Sequence, residues 1–250
     1  LGWPSGMSGA SGLLFLFNVS HFRAVHWVSA QCYIASFMIL CGGLLVYLAW
    51  VEERRVWGQV AFYAALLSGL LVHTATIVLV PLAAALAWSR QRPLTAALKQ
   101  LALPAAVGAA GVLAIRAYYA NSPQMGQLSS GFELWGHMQS LLYMISRLVS
   151  TAHALPFAVY ESAEWEPALG GLVVLACMLL ACRRDGRLDF WGIWILTAPL
   201  PFLVLDPDHV KALMPGPSRY LYTASAGIAV LGGAALYRLS LLPRIGMATC

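Results

Sequence analysis

The stretch VWGQVAFYAALLSGLLVHTATIVLVPLAAALAWS, residues 56–89, contains no Asp, Glu, Lys or Arg. A second uncharged stretch precedes it, and four more follow, at residues 24–51, 100–115, 167–182, 190–205 and 220–237. An α-helix needs about 20 mostly apolar residues to cross the hydrocarbon core of a bilayer. The pattern predicts an all-α fold, a polytopic integral membrane helical bundle with about seven crossings and one outer interfacial helix.

The overall composition also favours lipid as the solvent. The chain has 250 residues, of which 60% are hydrophobic and 10% are charged, and its mean hydropathy is +0.73. Its net charge of +5 does not indicate nucleic acid, because the basic residues stand in short loops beside helix ends and form no face interleaved with aromatics. We therefore expect membrane lipids as partners and no nucleic acid.

The charges in the loops predict how the chain is oriented. Cytoplasmic loops of membrane proteins are enriched in Lys and Arg. Three short loops are assigned to the cytoplasm on this basis, those with Arg54 and Arg55, with Arg90, Arg92 and Lys99, and with Arg183, Arg184 and Arg187. Residues 121–139 contain neither Lys nor Arg, as expected of an outer loop. We expect an outer N-terminus and a cytoplasmic C-terminus, in a bacterial inner membrane.

This orientation requires two crossings within residues 56–89, joined by a turn near His73. Pro81 is expected to start or kink the second helix. His73 itself is either a capping or packing histidine bonded to a nearby carbonyl or a functional group at membrane depth. The pairs Gly42-Gly43 and Gly232-Gly233 are expected to allow close packing of helices.

The whole of residues 1–250 is expected to form a single transmembrane domain, as a fragment of a longer chain. Residues 1–25 are interpreted as an outer N-terminal segment, irregular through residue 12 because Gly and Ser are frequent there. Residues 136–160 begin and end on the outer side and carry Arg147 and His153. They are interpreted as an outer lateral or re-entrant helix.

Candidate ligand-binding residues are concentrated on the outer side. His26 precedes the first span, Arg147 and His153 belong to the lateral helix, and the last outer loop and its end carry His209, Lys211, Arg219 and Tyr220. Cations grouped on one face could bind the phosphate of a lipid-linked substrate. The alternative is ordinary anchoring at the interface by Arg, Lys, Trp and Tyr.

No metal or cofactor is expected from the sequence. Asp206, Asp208 and His209 could ligate a metal, but Asp-Pro is also ordinary turn chemistry. Gly-x-Ser-x-Gly, His-Glu-x-x-His and Cys-x-x-Cys do not occur in the sequence. A divalent metal would require residues upstream of Leu1.

Two segments resemble one family of membrane enzymes. Val25-His26-Trp27-Val28-Ser29-Ala30-Gln31 resembles the Trp-Ile-Ser start of a helix in GT-C-type polytopic glycosyltransferases, the protein O-mannosyltransferase-like enzymes that use lipid-phosphate sugars. Pro217-Ser218-Arg219-Tyr220-Leu221-Tyr222-Thr223-Ala224-Ser225 resembles their Arg-Tyr-Leu-Tyr-x-x-Ser segment. Residues 66–82 are similar to their short-helix pair. The resemblance implies that Arg219, with Lys211 and His209, faces a lipid phosphate.

The chain departs from that family in two places. The family's acidic catalytic residue belongs to an outer loop upstream of Leu1, and Val72-His73 stands where members often carry Lys-Glu. Three hypotheses follow. The chain could be a glycosyltransferase-like protein using a polyprenyl-phosphate-linked sugar at the outer leaflet, a non-catalytic scaffold subunit of a larger membrane complex, or a transporter with His73 near mid-membrane.

Overall fold

The computed structural model describes residues 4–17, 31–53, 55–119, 133–150, 164–183, 188–204 and 219–248. All regular secondary structure in these ranges is helical. The α-helices are α1 Ser5–Leu16, α2 Gln31–Glu52, α3 Val56–Val72, α4 Leu79–Ser89, α5 Leu94–Tyr118, α6 Leu134–Ser150, α7 Glu166–Arg183, α8 Asp189–Thr197 and α9 Tyr222–Ala248. Short 3₁₀ turns occupy Thr74–Val78, Leu200–Val204 and Arg219–Leu221.

Within the described ranges, α2, α5 and α7 are each long and apolar enough to cross a membrane. Shorter apolar helices are Val56–Val72, Thr74–Ser89 and Asp189–Leu203. Large aliphatic side chains are exposed along the long helices, including Leu45, Leu113 and Leu175. Such surfaces are unfavourable in water and are compatible with lipid. The all-helical architecture and the presence of helices able to cross a membrane are therefore confirmed.

The helices α2 and α3 form a tight antiparallel hairpin. A Cβ at Gly58 would lie 2.8 Å from the backbone of Trp50, and a Cβ at Gly43 would lie 3.4 Å from the Ala65 side chain. Small residues let helix backbones approach closely where lipid, rather than water, surrounds them. Gly42, in contrast, has nothing within 4 Å of its ideal Cβ position, so Gly43 alone makes the close packing predicted for this pair.

The chain breaks after α3 and returns, as predicted. His73 has extended backbone angles (φ −162°, ψ 129°), and Pro81 lies in the first turn of α4, where its missing N–H removes no helical hydrogen bond. Beyond α4, Arg90 Nη1 lies 3.5 Å from Glu52 Oε1, and Arg92 Nη2 donates to the Val51 carbonyl at 3.2 Å. The loops after α2 and after α4 therefore lie at the same end of the bundle.

We call this the basic end, defined by Glu52, Arg55, Arg90, Arg92 and Arg183. Trp88 Nε1 donates to the Ala181 carbonyl at 3.4 Å, which places the last turn of α7 there. The opposite end, called the aromatic end, is defined by Tyr33, His73, Phe202 and Tyr220, whose rings pack together.

The helices α8 and α9 connect the two ends. A Cβ at Gly192 would lie 2.8 Å from the Cys177 carbonyl, so the start of α8 packs on the second half of α7. Trp194 Nε1 donates to the Thr223 carbonyl at 2.8 Å and joins α8 to the first turn of α9. Arg183 and Tyr222 consequently lie at opposite ends of the bundle.

The helix α6 packs across the first turns of α7. A Cβ at Gly170 would overlap the Leu142 carbonyl, and a buried ion pair joins Arg147 to Glu166. The second half of α6 is buried on all sides at residues 143–148, while Leu134, Trp135 and Met138 in its first half are exposed. The helix begins at Leu134, slightly before the predicted start of the lateral element, and residues 151–160 lie outside the described part of the chain.

The prediction of an irregular N-terminal segment is wrong, because residues 5–16 form α1. This helix packs along α9: a Cβ at Gly233 would overlap Ser11, and a Cβ at Gly6 would lie 3.6 Å from the Tyr237 ring. Phe15 lies 5.7 Å from Tyr222, centroid to centroid. The helix therefore runs along α9. Gly and Ser disfavour an isolated helix, but here they permit close packing.

Candidate functional site at the break after α3

Four rings from separate parts of the chain meet at the aromatic end. The Tyr33 centroid lies 4.5 Å from that of His73 and 6.0 Å from that of Tyr220. Phe202 lies 4.9 Å from Tyr220 and 6.1 Å from His73. Offset and edge-on aromatic pairs at such distances are favourable beyond the area they bury. The cluster joins α2, the break after α3, and the turns on either side of residues 205–218.

The hydrogen bonding of His73 determines where its ring proton lies. The Ala75 N–H donates to His73 Nδ1 at 3.0 Å, so Nδ1 acts as an acceptor and is unprotonated. In the neutral ring the proton is then on Nε2. His73 thus caps the 3₁₀ turn that follows it, through a backbone N–H rather than through the carbonyl expected from the sequence.

The break itself is stabilised by side-chain and backbone bonds. Thr76 Oγ1 donates to the Gly69 carbonyl at 3.1 Å, and the His73 N–H donates to the same carbonyl at 2.8 Å. A Cβ at Gly69 would overlap the Thr76 side chain. Irregular backbone at membrane depth requires such internal satisfaction of its polar groups. The turn is therefore a defined structural element, held by its own hydrogen bonds, on which a binding site can be formed.

Little space lies on the inner side of the rings. A cavity of about 10 Å³ is lined by Tyr33, Ser36, His73, Thr76 and Thr223, among others. That volume holds about one water molecule. This cavity is therefore too small for a phosphate or a sugar.

Of the predicted site residues, Tyr220 belongs to the cluster and is buried. Arg219 opens the 3₁₀ turn directly before it, so its backbone lies at the aromatic end. His26, His153, His209 and Lys211 lie outside the described residues. Sequence reasoning missed Tyr33 and Phe202. The available signal was that both are aromatic residues near the ends of uncharged windows.

Arg147 is placed differently from its predicted role as an outer-face cation. Its Nε lies 2.9 Å from Glu166 Oε1, and both side chains are almost completely buried. Its Nη2 donates to the Tyr143 hydroxyl at 2.5 Å, and its guanidinium stacks 4.8 Å from the centre of that ring. A paired, buried guanidinium is a packing element of α6 and α7 rather than an exposed anion-binding group.

The part of the chain that the structure describes contains no group of three or more His, Cys, Asp or Glu side chains that could hold a metal ion. Asp206, Asp208 and His209, the weak metal candidate of the sequence, lie outside the described ranges.

No protein-family model, curated protein or solved structure matches this chain. The likeness to GT-C glycosyltransferases therefore rests on the segments at residues 25–31, 66–82 and 217–225, and it stays a prediction.

Proposed function

We propose that the chain is a multi-pass membrane protein with seven crossings. They are α2, α3, Thr74–Ser89, α5, α7, Asp189–Leu203 and α9. This order is supported by the way successive helices run between the basic end and the aromatic end. The loops after α2 and after α4 meet at the basic end, where Arg90 pairs with Glu52, and the end of α7 joins them there through the hydrogen bond from Trp88. The positive-inside rule then assigns the basic end to the cytoplasm, here of a bacterial inner membrane, with the C-terminal end of α9 on that side. On this assignment α1 extends from the aromatic end toward the basic end beside α9, and its 12 residues are too few for an eighth crossing.

We further propose that the aromatic end binds a polyprenyl-phosphate-linked sugar in the outer leaflet. The observation that carries the proposal is that the rings of Tyr33 and Phe202 each contact both His73 and Tyr220, and so connect the break after α3 to the Arg219–Leu221 turn. Phosphate binding needs a cation and hydrogen-bond donors. By resemblance Arg219, with Lys211 and His209, supplies the charge, and the rings of Tyr33, His73 and Tyr220 form the surface of the bundle beside the Arg219–Leu221 turn.

Sugar transfer from such a donor also needs a carboxylate to accept the proton of the attacking hydroxyl as polyprenyl phosphate leaves. The cluster of described residues at the aromatic end contains no carboxylate. In the enzyme hypothesis this group comes from a loop upstream of Leu1, as the resemblance implies. The same observation favours the second candidate function, a non-catalytic scaffold subunit that keeps the donor-binding fold within a larger membrane complex.

The binding step is tested with purified protein in lipid nanodiscs and polyprenyl phosphate as the probe. Arg219→Gln should weaken binding roughly 10-fold to 100-fold, the effect of losing a charge-assisted hydrogen bond. Arg238→Gln is the matched control, since it removes the same charge from an exposed position in the second half of α9, away from the aromatic end. Equal binding by Arg219→Gln and wild type would refute the site.

The enzyme and scaffold hypotheses differ in what accompanies the protein. Mild-detergent purification from the native membrane should yield a stable multi-subunit assembly if the chain is a scaffold. Transfer of sugar from a polyprenyl-phosphate donor by the protein alone, lost in Arg219→Gln, would establish the enzyme.

A further inference from the structure

The basic end contains an open cavity of about 300 Å³ that is unrelated to the proposed donor site. It lies between the end of α2, the start of α3 and the first half of α5. Its walls are Trp50, Val51, Val56, Gln59, Arg92 and Gln100. The polar groups that converge on it are therefore one guanidinium and two carboxamides.

The charge of Arg92 is not offset by a carboxylate of the described chain. Glu52 pairs with Arg90 at 3.5 Å, and Glu53 pairs with Arg55 at 2.5 Å. Arg92 instead donates to the neutral carbonyl of Val51 at 3.2 Å. A guanidinium has five N–H donors, so this single bond leaves most of its fork available to a ligand.

The cavity has the chemistry of a phosphate site. Arg binds phosphate through paired, charge-assisted hydrogen bonds, and the side-chain amides of Gln59 and Gln100 can donate to further oxygens. Trp50 lines the cavity, and the exposed Trp57 lies beneath the Arg55 guanidinium, 5.8 Å from it. Tryptophan is enriched at the depth of lipid headgroups, so these residues indicate where the cavity lies in a bilayer.

An apolar surface continues from the cavity toward the middle of the helices. Val60 follows Val56 by one turn of α3, and Leu103 follows Gln100 by one turn of α5, and both are exposed. Residues one turn apart share a helix face. A molecule whose phosphate reaches Arg92 could therefore lay hydrocarbon over Val60 and Leu103.

We propose that this cavity binds the phosphate of an anionic phospholipid in the cytoplasmic leaflet. The proposal rests on the membrane placement proposed above, but it concerns the opposite end from the sugar donor. Arg92 supplies the charge, Gln59 and Gln100 orient the headgroup, and the acyl chains lie along α3 and α5. A free phosphate ion would use the same polar groups without the apolar surface.

Native mass spectrometry of the detergent-purified full chain provides the test, with phosphatidylglycerol, phosphatidylcholine and inorganic phosphate as separate probes. Wild type should retain phosphatidylglycerol in preference to phosphatidylcholine. Arg92→Gln should weaken that binding roughly tenfold. Lys99→Gln is the matched control, because Lys99 is an exposed cation beside Gln100 that does not line the cavity, and it should change binding less than about twofold.

A second variant covers the case in which Arg92→Gln fails to fold. The double variant Gln59→Leu/Gln100→Leu keeps the bond from Arg92 to Val51, and it should still lose phosphatidylglycerol several-fold. Retention of the lipid by both variants at the wild-type level would overturn the proposal, and so would binding of inorganic phosphate without phosphatidylglycerol. Arg219→Gln should leave phosphatidylglycerol binding unchanged, so failure of this site and failure of the donor site are separate results.

Discussion

Arg147 on α6 and Glu166 at the start of α7 form an ion pair whose Nε and Oε1 atoms lie 2.9 Å apart, with side-chain exposures of only 1% and 4%. Burial removes both charges from solvent, so each depends on the other for compensation. The position of Glu166 in the first turn of α7 is also favourable for a negative charge. The pair therefore determines how α6 sits on α7.

Glu166→Gln should destabilise the protein by about 3–5 kcal/mol, because it leaves the Arg147 charge buried without a carboxylate. The measurement is equilibrium unfolding in mixed micelles with a denaturing detergent. Glu53→Gln is the control: its pair with Arg55 is exposed, at 51% and 54%, and should contribute about 1 kcal/mol or less. The double variant Arg147→Met/Glu166→Leu should recover most of the loss. Equal effects of Glu166→Gln and Glu53→Gln would contradict a structural role for the buried pair.

Gly170→Ala should destabilise the contact between α6 and α7 by about 1–3 kcal/mol or more, because the added methyl overlaps the Leu142 carbonyl. The neighbouring Gly171 has nothing within 4 Å of its ideal Cβ, so Gly171→Ala should be neutral or stabilising by up to about 1 kcal/mol through helix propensity. Thermal unfolding in one detergent compares the two. Equal melting temperatures for the two variants would contradict the close contact between Gly170 on α7 and Leu142 on α6.

His73→Leu should cost about 1 kcal/mol, since it removes the acceptor of the Ala75 N–H at the start of the 3₁₀ turn. His73→Asn keeps an acceptor on a short side chain and should recover most of that stability. Ser68→Ala, which removes an exposed hydroxyl from the preceding helix, serves as a control with little expected effect. Thermal unfolding measures all three, and an Asn variant as unstable as the Leu variant would argue against capping.

The two ends of α5 should face opposite sides of the membrane. Single cysteines replace Thr95 and Tyr119, both exposed, in a background whose five native cysteines are changed to alanine. A membrane-impermeant maleimide applied to intact cells should label Tyr119→Cys, and it should label Thr95→Cys only after permeabilisation. The 25 residues of α5 span about 37 Å at 1.5 Å per residue, enough to cross the hydrocarbon core. Labelling of both positions from outside would refute the crossing.

Much of the helical framework could be predicted from the distribution of charge. The break within residues 56–89 followed from the need for an even number of crossings between two Arg-bearing loops, and Arg90 and Glu52 do meet at the basic end. The role of α1 could not be predicted in this way. Gly6, Gly9 and Gly12 suggest irregular backbone when intrinsic propensity is considered alone, and only the presence of α9 makes a helix there favourable.

The candidate site was predictable in part for a similar reason. His73 and Tyr220 were each singled out by local signals, a polar residue at a turn and a short motif. They share a ring cluster with Tyr33 and Phe202 because α2, the break after α3 and the two 3₁₀ turns beside residues 205–218 pack together. No single segment of the sequence carries a signal for that packing. Arg147 could not be interpreted from its own segment, since its ion pair with Glu166 on the next helix depends on how α6 packs against α7.

The amino-acid sequence alone determined that this chain is helical, that several helices can cross a membrane, and which loops share an end. These properties follow from the positions of the charged residues, because a charged side chain is unfavourable in hydrocarbon wherever it stands in the chain. The tertiary structure decided which glycines pack, which cation is neutralised, and which aromatic residues form a site. Those outcomes depend on distances between residues far apart in the chain, where a shift of one ångström separates a contact from a clash.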